Sequence, residues 1–164
     1  MMHKILLAAA ALSVSTSVAA QDFDLSTVED TSQSSAWHNS QQWALTKLAA
    51  DPDWTYLDGL YWRRVAGDSS GAKPLVTDTV TVHYAGTFVD GTTFDSSFDR
   101  GVPATFPLTR LVKAWQLAIP KMGVGDTIEI VTPSRLAYGT AGRGSIPGGA
   151  TLLFKVELVG IEGR

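Results

Sequence analysis

From Val80 to Phe98 the chain alternates apolar and polar side chains, breaks at Asp90-Gly91, and alternates again around Phe94. Alternation with period two on both sides of an Asp-Gly pair is the pattern of an antiparallel β-hairpin. Val80, Val82 and Tyr84 lie two apart and share one face, while Thr81 and His83 take the other. An isolated hairpin is marginal in water, so its apolar face needs further strands or a helix to cover it. That requirement governs how the remaining segments are read.

Leu60-Tyr61-Trp62-Arg63-Arg64-Val65 has strand composition, and Gly67 to Lys73 is a polar loop. Over residues 110–119, Leu111, Val112, Trp115, Ala118 and Ile119 recur at helical spacing, with Pro120 and Gly123 as stops. Gly123-Val124-Gly125-Asp126 predicts a turn, and Thr127 to Val131 a strand. Residues 139–149 hold five glycines and one proline, which predicts a loop. Leu152, Phe154, Val156 and Leu158 then alternate through a last strand. Upstream, Trp43, Ala44, Leu45, Leu48 and Ala49 predict a short helix over 39–50, capped by Asn39 or Ser40 and ended by Asp51-Pro52. Several strands and one short helix predict an α+β fold with an antiparallel sheet wrapped on the helix.

The first twenty residues read as a secretory signal: Lys4 is the basic start, Ile5 to Val14 the apolar run, and Val18-Ala19-Ala20 the cleavage site. That run is short for a membrane span and is broken by Ser and Thr. Cleavage after Ala20 would release a soluble periplasmic or secreted product with no membrane attachment. Residues 21–38 are polar around a Ser-Gln-Ser-Ser run and predict a disordered leader. The absence of cysteine excludes disulfides and a lipid-modified cysteine. A net charge of -3 without a basic run speaks against nucleic acid. The expected division is therefore signal 1–20, leader 21–38, short helix and connection 39–57, and one domain over 58–164.

Over about residues 58–161 the chain resembles the FKBP family of peptidyl-prolyl cis-trans isomerases. The motifs occur in family order: Val82-His83-Tyr84, Asp90-Gly91, Phe94-Asp95-Ser96-Ser97, Val112 followed by Trp115, Leu136-Ala137-Tyr138-Gly139, Ile146-Pro147, and Ala150-Thr151-Leu152-Leu153-Phe154. The upstream helix and signal resemble the exported bacterial branch, which includes the macrophage infectivity potentiator type. Long dimerisation helices found in some of those proteins are reduced here to a short stub, so a monomer is expected.

The resemblance implies an antiparallel half-barrel curled around the short helix, with a pocket between them. Trp115 would form the floor, and Tyr84, Phe94, Phe106 and Phe154 the walls. Leu111 would join Val112 and Ile146 at the substrate-binding rim. The Tyr138 hydroxyl would sit at the mouth, and Asp95 at the edge with Arg100 as its partner. Tyr84, Phe94, Asp95, Trp115, Tyr138 and Phe154 are thus the implied catalytic set; Arg100, Phe106, Leu111, Val112 and Ile146 are the implied substrate contacts. The implied substrates are proline-containing unfolded or nascent exported polypeptides, with macrolides as inhibitors of the same pocket. Three departures stand out: Ala114 where Gly commonly precedes the Trp, Ala104 where some members have an aromatic wall, and Arg143 with Gly148-Gly149 in the 139–149 loop.

Rotating an Xaa-Pro bond breaks no covalent bond, so neither cofactor nor metal is expected. His3, His38 and His83 have no ligand spacing to one another. Gly142-Arg143-Gly144 lacks the third glycine of a dinucleotide fingerprint. Asp95 and Asp99 have no second feature that would support hydrolysis. A different class remains open: a binding module or holdase chaperone on the same fold, with negligible turnover, to which Trp37, Trp43 and Trp54 could contribute.

Overall fold

The computed structural model describes residues 34–163. The expected signal segment and residues 21–33 of the expected leader lie outside the described residues. Helix α1 spans Ser35–Ala49, so it starts four residues earlier than the sequence predicts and takes in the end of the expected leader. Its cap is Ser34, whose hydroxyl accepts from Trp37 N at 3.2 Å, and not Asn39 or Ser40. Ser34 is a good cap because its oxygen satisfies an N–H left free in the first turn.

Among the described residues, seven strands form one antiparallel sheet: β1 (Thr55–Leu57), β2 (Leu60–Ala66), β3 (Thr79–Phe88), β4 (Thr93–Ser96), β5 (Ala104–Pro107), β6 (Thr127–Thr132) and β7 (Leu152–Ile161). The spatial order is β1-β2-β6-β7-β3-β4, with β5 also paired to β3. The two long strands β3 and β7 run together from Val80 opposite Ile161 to Phe88 opposite Leu152. β3 alternates buried and half-buried positions, with Val80, Val82 and Tyr84 inward as the period-two pattern predicts.

The hairpin turns at Asp90-Gly91: Gly91 has φ 88°, and the Asp90 carboxylate accepts from Thr92 N at 2.8 Å. Its second arm is shorter than the alternation suggests. β4 ends at Ser96, whose hydroxyl caps a four-residue helical turn, α2 (Ser97–Arg100), by accepting from Asp99 N.

Helix α3 is also shorter than predicted, Lys113–Ala118 rather than 110–119. Turns of 3-10 type flank it at Leu108–Arg110 and Ile119–Lys121. Between the first of these and α3, Leu111 and Val112 are extended, at ψ 168° and 151°. Apolar spacing alone could not separate those two rim residues from the helix they precede. Ala114, Trp115 and Ala118 bury their side chains against a core that includes Val82, Ile128, Ile130, Val156 and Leu158. Ala114 is fully buried, so its methyl group is part of that core.

Asp126 closes the far end of the sheet. Its Oδ2 accepts from Arg64 Nε at 3.0 Å and Gly123 N at 2.9 Å, and its Oδ1 from Ser69 N at 3.0 Å. At the other side α1 is tied to the start of β7. Gln41, buried, accepts at Oε1 from Thr151 N (2.9 Å), while Thr151 Oγ1 donates to Gln41 O (3.2 Å).

Candidate functional site

Where α3 faces the upper half of the sheet, the two do not close completely. A cavity of about 490 Å³ remains, walled by aromatic rings. Trp115 forms its floor and is 4% exposed. Tyr84 from β3 and Phe154 from β7 meet the indole edge to face at centroid distances of 5.4 and 5.5 Å. Phe106 from β5 stands 6.2 Å from Tyr84, and Phe94 from β4 stands 5.9 Å from Phe154. Edge-to-face packing of this kind fixes the rings and adds to the stabilisation from burial. Because β3, β4, β5 and β7 each supply a ring, the curvature of the sheet sets the shape of the pocket. Gly86 lets the wall close: a Cβ there would collide with the Phe94 ring and come within 3.2 Å of Phe154.

Leu111 and Val112 line the rim beside α3, and Tyr138 and Ile146 line it from the segment after β6. All the implied pocket residues but one thus surround a single cavity. The exception is Arg100, which acts from behind. Tyr84 donates its hydroxyl to Asp95 Oδ2 at 2.5 Å, and Arg100 contacts both Asp95 Oδ1 (2.5 Å) and the Tyr84 oxygen (3.0 Å). The Asp95 and Arg100 side chains are 43% and 52% exposed, so this chain of polar groups opens to solvent at the pocket edge.

The electrostatics follow from these contacts. Burial pushes the Asp95 carboxyl up, but hydrogen bonds from Tyr84 and Arg100 outweigh it and hold the group below its ordinary value. Burial, together with the bond to Asp95, pushes the Tyr84 hydroxyl up. Tyr84 therefore stays a neutral donor and Asp95 a carboxylate across ordinary pH.

The sequence reading missed several positions. Ser97 is fully buried; its hydroxyl accepts from Tyr84 N at 2.7 Å and lies 3.2 Å from Tyr84 O and 3.1 Å from His83 Nδ1. It clamps the backbone of the wall residue Tyr84 from both sides, and its place in Asp95-Ser96-Ser97 was the available signal. Arg143, Gly144 and Ser145 also line the pocket, from the glycine-rich loop. That loop is a flap with its own bonds. Arg143 N donates to Ile146 O and Ile146 N to Arg143 O, both at 2.9 Å, and Gly149 N donates to Gly139 O at 2.9 Å. Gly142 has φ 70°, and a Cβ there would strike the Ile146 carbonyl. Ala104 is half-buried and packs on the core, and it is not among the lining residues.

Among the described residues, no cluster of three or more His, Asp or Glu is placed to hold a metal ion. No described helix is long and apolar enough to cross a membrane.

Known proteins are similar to this chain in sequence and in fold. A family profile described as FKBP-type peptidyl-prolyl cis-trans isomerase matches residues 71–159, more than half of the chain. The chain belongs to the FKBP family. Over 93 residues it is 55% identical to the FKBP-type peptidyl-prolyl cis-trans isomerase FkpA of Aeromonas hydrophila, covering 57% of this chain and 35% of that protein. It is 42% identical to FK506-binding protein 2 of Debaryomyces hansenii, covering 60% of this chain and 75% of the relative. Among solved structures, FkpA from Escherichia coli superposes with a TM-score of 0.70 at 36% identity, covering 75% of this chain and 58% of that one. A peptidyl-prolyl cis-trans isomerase from Pseudomonas syringae gives 0.70 at 30% identity, covering 77% and 93%. The chain spans 35%, 48% and 47% of the length of three bacterial FKBP relatives that it matches. The α1 helix lies before the matched segment and braces the FKBP domain at the root of the flap.

Proposed function

We propose that this protein is a prolyl cis-trans isomerase whose reaction takes place in the Trp115 pocket. The observation that carries the reading is the ring-walled cavity with the Tyr84–Asp95–Arg100 chain at its edge. Rotation about an Xaa-Pro bond costs amide resonance, a barrier of about 18–20 kcal/mol. A planar amide separates more charge than a twisted one. An apolar pocket that excludes water therefore favours the twisted state, and that difference in binding lowers the barrier. Trp115, Phe94, Phe106 and Phe154 give a dry seat for the flat proline ring. The Val112 N–H and the Tyr138 hydroxyl bond to no other described residue, which leaves them as donors to the peptide backbone. Asp95 and Arg100 hold the Tyr84 ring in place and shape the field next to the twisting carbonyl.

The substrates under this reading are proline-containing unfolded polypeptides. Uncatalysed isomerisation takes tens to hundreds of seconds and can limit folding. The signal over residues 1–20 would export the protein, and cleavage after Ala20 would release it to work on chains folding outside the cytoplasm. Residues 58–164 are the isomerase domain, and the short α1 favours a monomer. Trp43 at 64% exposure and Tyr56 at 63%, both outside the pocket, favour an additional holding role for unfolded chains.

The test follows cis-to-trans relaxation of an Xaa-Pro peptide without a coupled protease, with and without a macrolide such as FK506. Acceleration that the macrolide abolishes is the expected result. A rate equal to buffer from folded protein would overturn the isomerase reading. Suppressed aggregation of a proline-free client by the same sample would then favour the holding role.

A further inference from the structure

The pocket lining carries only two charged residues, Asp95 and Arg143. Asp95 is already matched by Arg100 and by the Tyr84 hydroxyl. Arg143 is exposed, and its guanidinium has no ion pair or hydrogen bond with another described residue. Its backbone is not loose: paired bonds with Ile146 fix it, and Ile146 is itself 8% exposed and seated in the core. The flap therefore holds one uncompensated cation at the rim of an apolar pocket. Outside the lining itself, Arg110 and Lys113 flank the lining residues Leu111 and Val112 in the chain, and both cations are exposed and without an ion pair among the described residues. A nearby carboxylate, Asp90 at the hairpin tip, lines a neighbouring groove that shares Ser145, where it accepts from Thr92 N. The protein as a whole is net negative, at -3, so a cationic rim runs against its average charge.

Resting on the isomerase reading, we infer that Arg143 sets substrate preference: the pocket selects prolines with an acidic residue close by in the chain. An extended peptide advances about 3.3–3.6 Å per residue. With proline on the Trp115 floor, the residues one or two positions away leave the pocket at its rim, where the charges stand. Opposite charge there raises encounter and adds an ion pair, while a basic neighbour is repelled. A rim pair of this kind is screened by salt.

The experiment uses the full chain and proline peptides that carry Glu, Gln or Lys at each of the two positions on either side of the proline. Both kcat/KM for isomerisation and peptide affinity by calorimetry are measured. The expected Glu-to-Gln ratio, at one or more positions, is roughly two- to fivefold at low salt, the range that an exposed ion pair supplies. It shrinks toward one at about 1 M salt, where the screening length is about 3 Å. In Arg143→Gln the ratio falls toward one, and in Arg143→Glu the Lys peptide overtakes the Glu peptide. A ratio near one at every position, or a ratio unchanged by Arg143→Gln, would overturn the inference while acceleration of the Gln peptide upholds the isomerase reading. If no peptide is accelerated, the isomerase reading fails, and the calorimetric ratio still decides what Arg143 does.

Discussion

Two aspartates in this domain each lean on an arginine, and their surroundings give them opposite roles. Asp126 is 2% exposed, and two backbone N–H groups join Arg64 in filling its oxygens. Asp95 is 43% exposed and binds a tyrosine hydroxyl and a half-exposed arginine at the lip of a cavity. A saturated, buried carboxylate joins distant loops and is costly to disturb. An open one at an apolar pocket contributes little to stability and sets the position of the tyrosine and arginine that bind it. Residue type and ion pairing are the same in both regions; burial and the identity of the donors separate the closed knot from the open pocket lip.

The largest effect falls on the buried side. Asp126→Ala removes the acceptor of Arg64 Nε and of two backbone N–H groups, and urea denaturation should show a loss of about 3 kcal/mol. The same contrast has a pH signature. Burial pushes the Asp126 carboxyl up, but the Gly123 and Ser69 N–H groups and Arg64 outweigh it and hold it below its ordinary value. A depressed carboxyl stabilises the fold fully above the unfolded value of about 3.9, and that contribution is lost as pH falls through the lower folded value. Asp126→Asn should therefore flatten the acid limb of the stability profile, measured by denaturation at stepped pH.

On the pocket side, Tyr84→Ala removes a wall ring and the hydroxyl together. Isomerase kcat/KM should fall roughly hundredfold, as the loss of a buried aromatic worth about 2–3 kcal/mol implies. Asp95→Ala should cost roughly tenfold in kcat/KM, in line with one charged hydrogen bond. Its stability loss should stay under about 1 kcal/mol, since the pair is exposed. The smallest change comes from the brace: Gln41→Ala removes the acceptor of Thr151 N and should lower stability by about 1 kcal/mol. It should also speed amide hydrogen exchange at the flap root near Thr151.

The sequence exposed the pocket side far better than the buried knot. Tyr84, Phe94, Trp115 and Phe154 sit inside local patterns, a hairpin, a helix and an alternating strand, that can be read within a few residues. Asp126 looked only like a turn residue, because Arg64 and Ser69 lie more than fifty positions away. Helix α1 began early for a similar reason. Trp37, the half-buried residue of its first turn, packs against the domain core and not within the local sequence, so the polar Ser-Gln-Ser-Ser run hid the Ser34 cap. The opposite error arose at Leu111 and Val112, where wall residues and core residues share one apolar spacing. Strands β1 and β5, of three and four residues, were too short for alternation to show. Arg143 was visible as a departure in the loop, but its place at the rim needed the flap geometry.

The contrast comes down to one paired measurement: isomerase kcat/KM of Asp95→Ala and Asp126→Ala, each at a temperature where circular dichroism shows it folded. The account predicts roughly tenfold loss for Asp95→Ala and wild-type turnover per folded molecule for Asp126→Ala. Equal losses in both, or full activity in Asp95→Ala, would contradict the assignment of catalysis to the pocket edge.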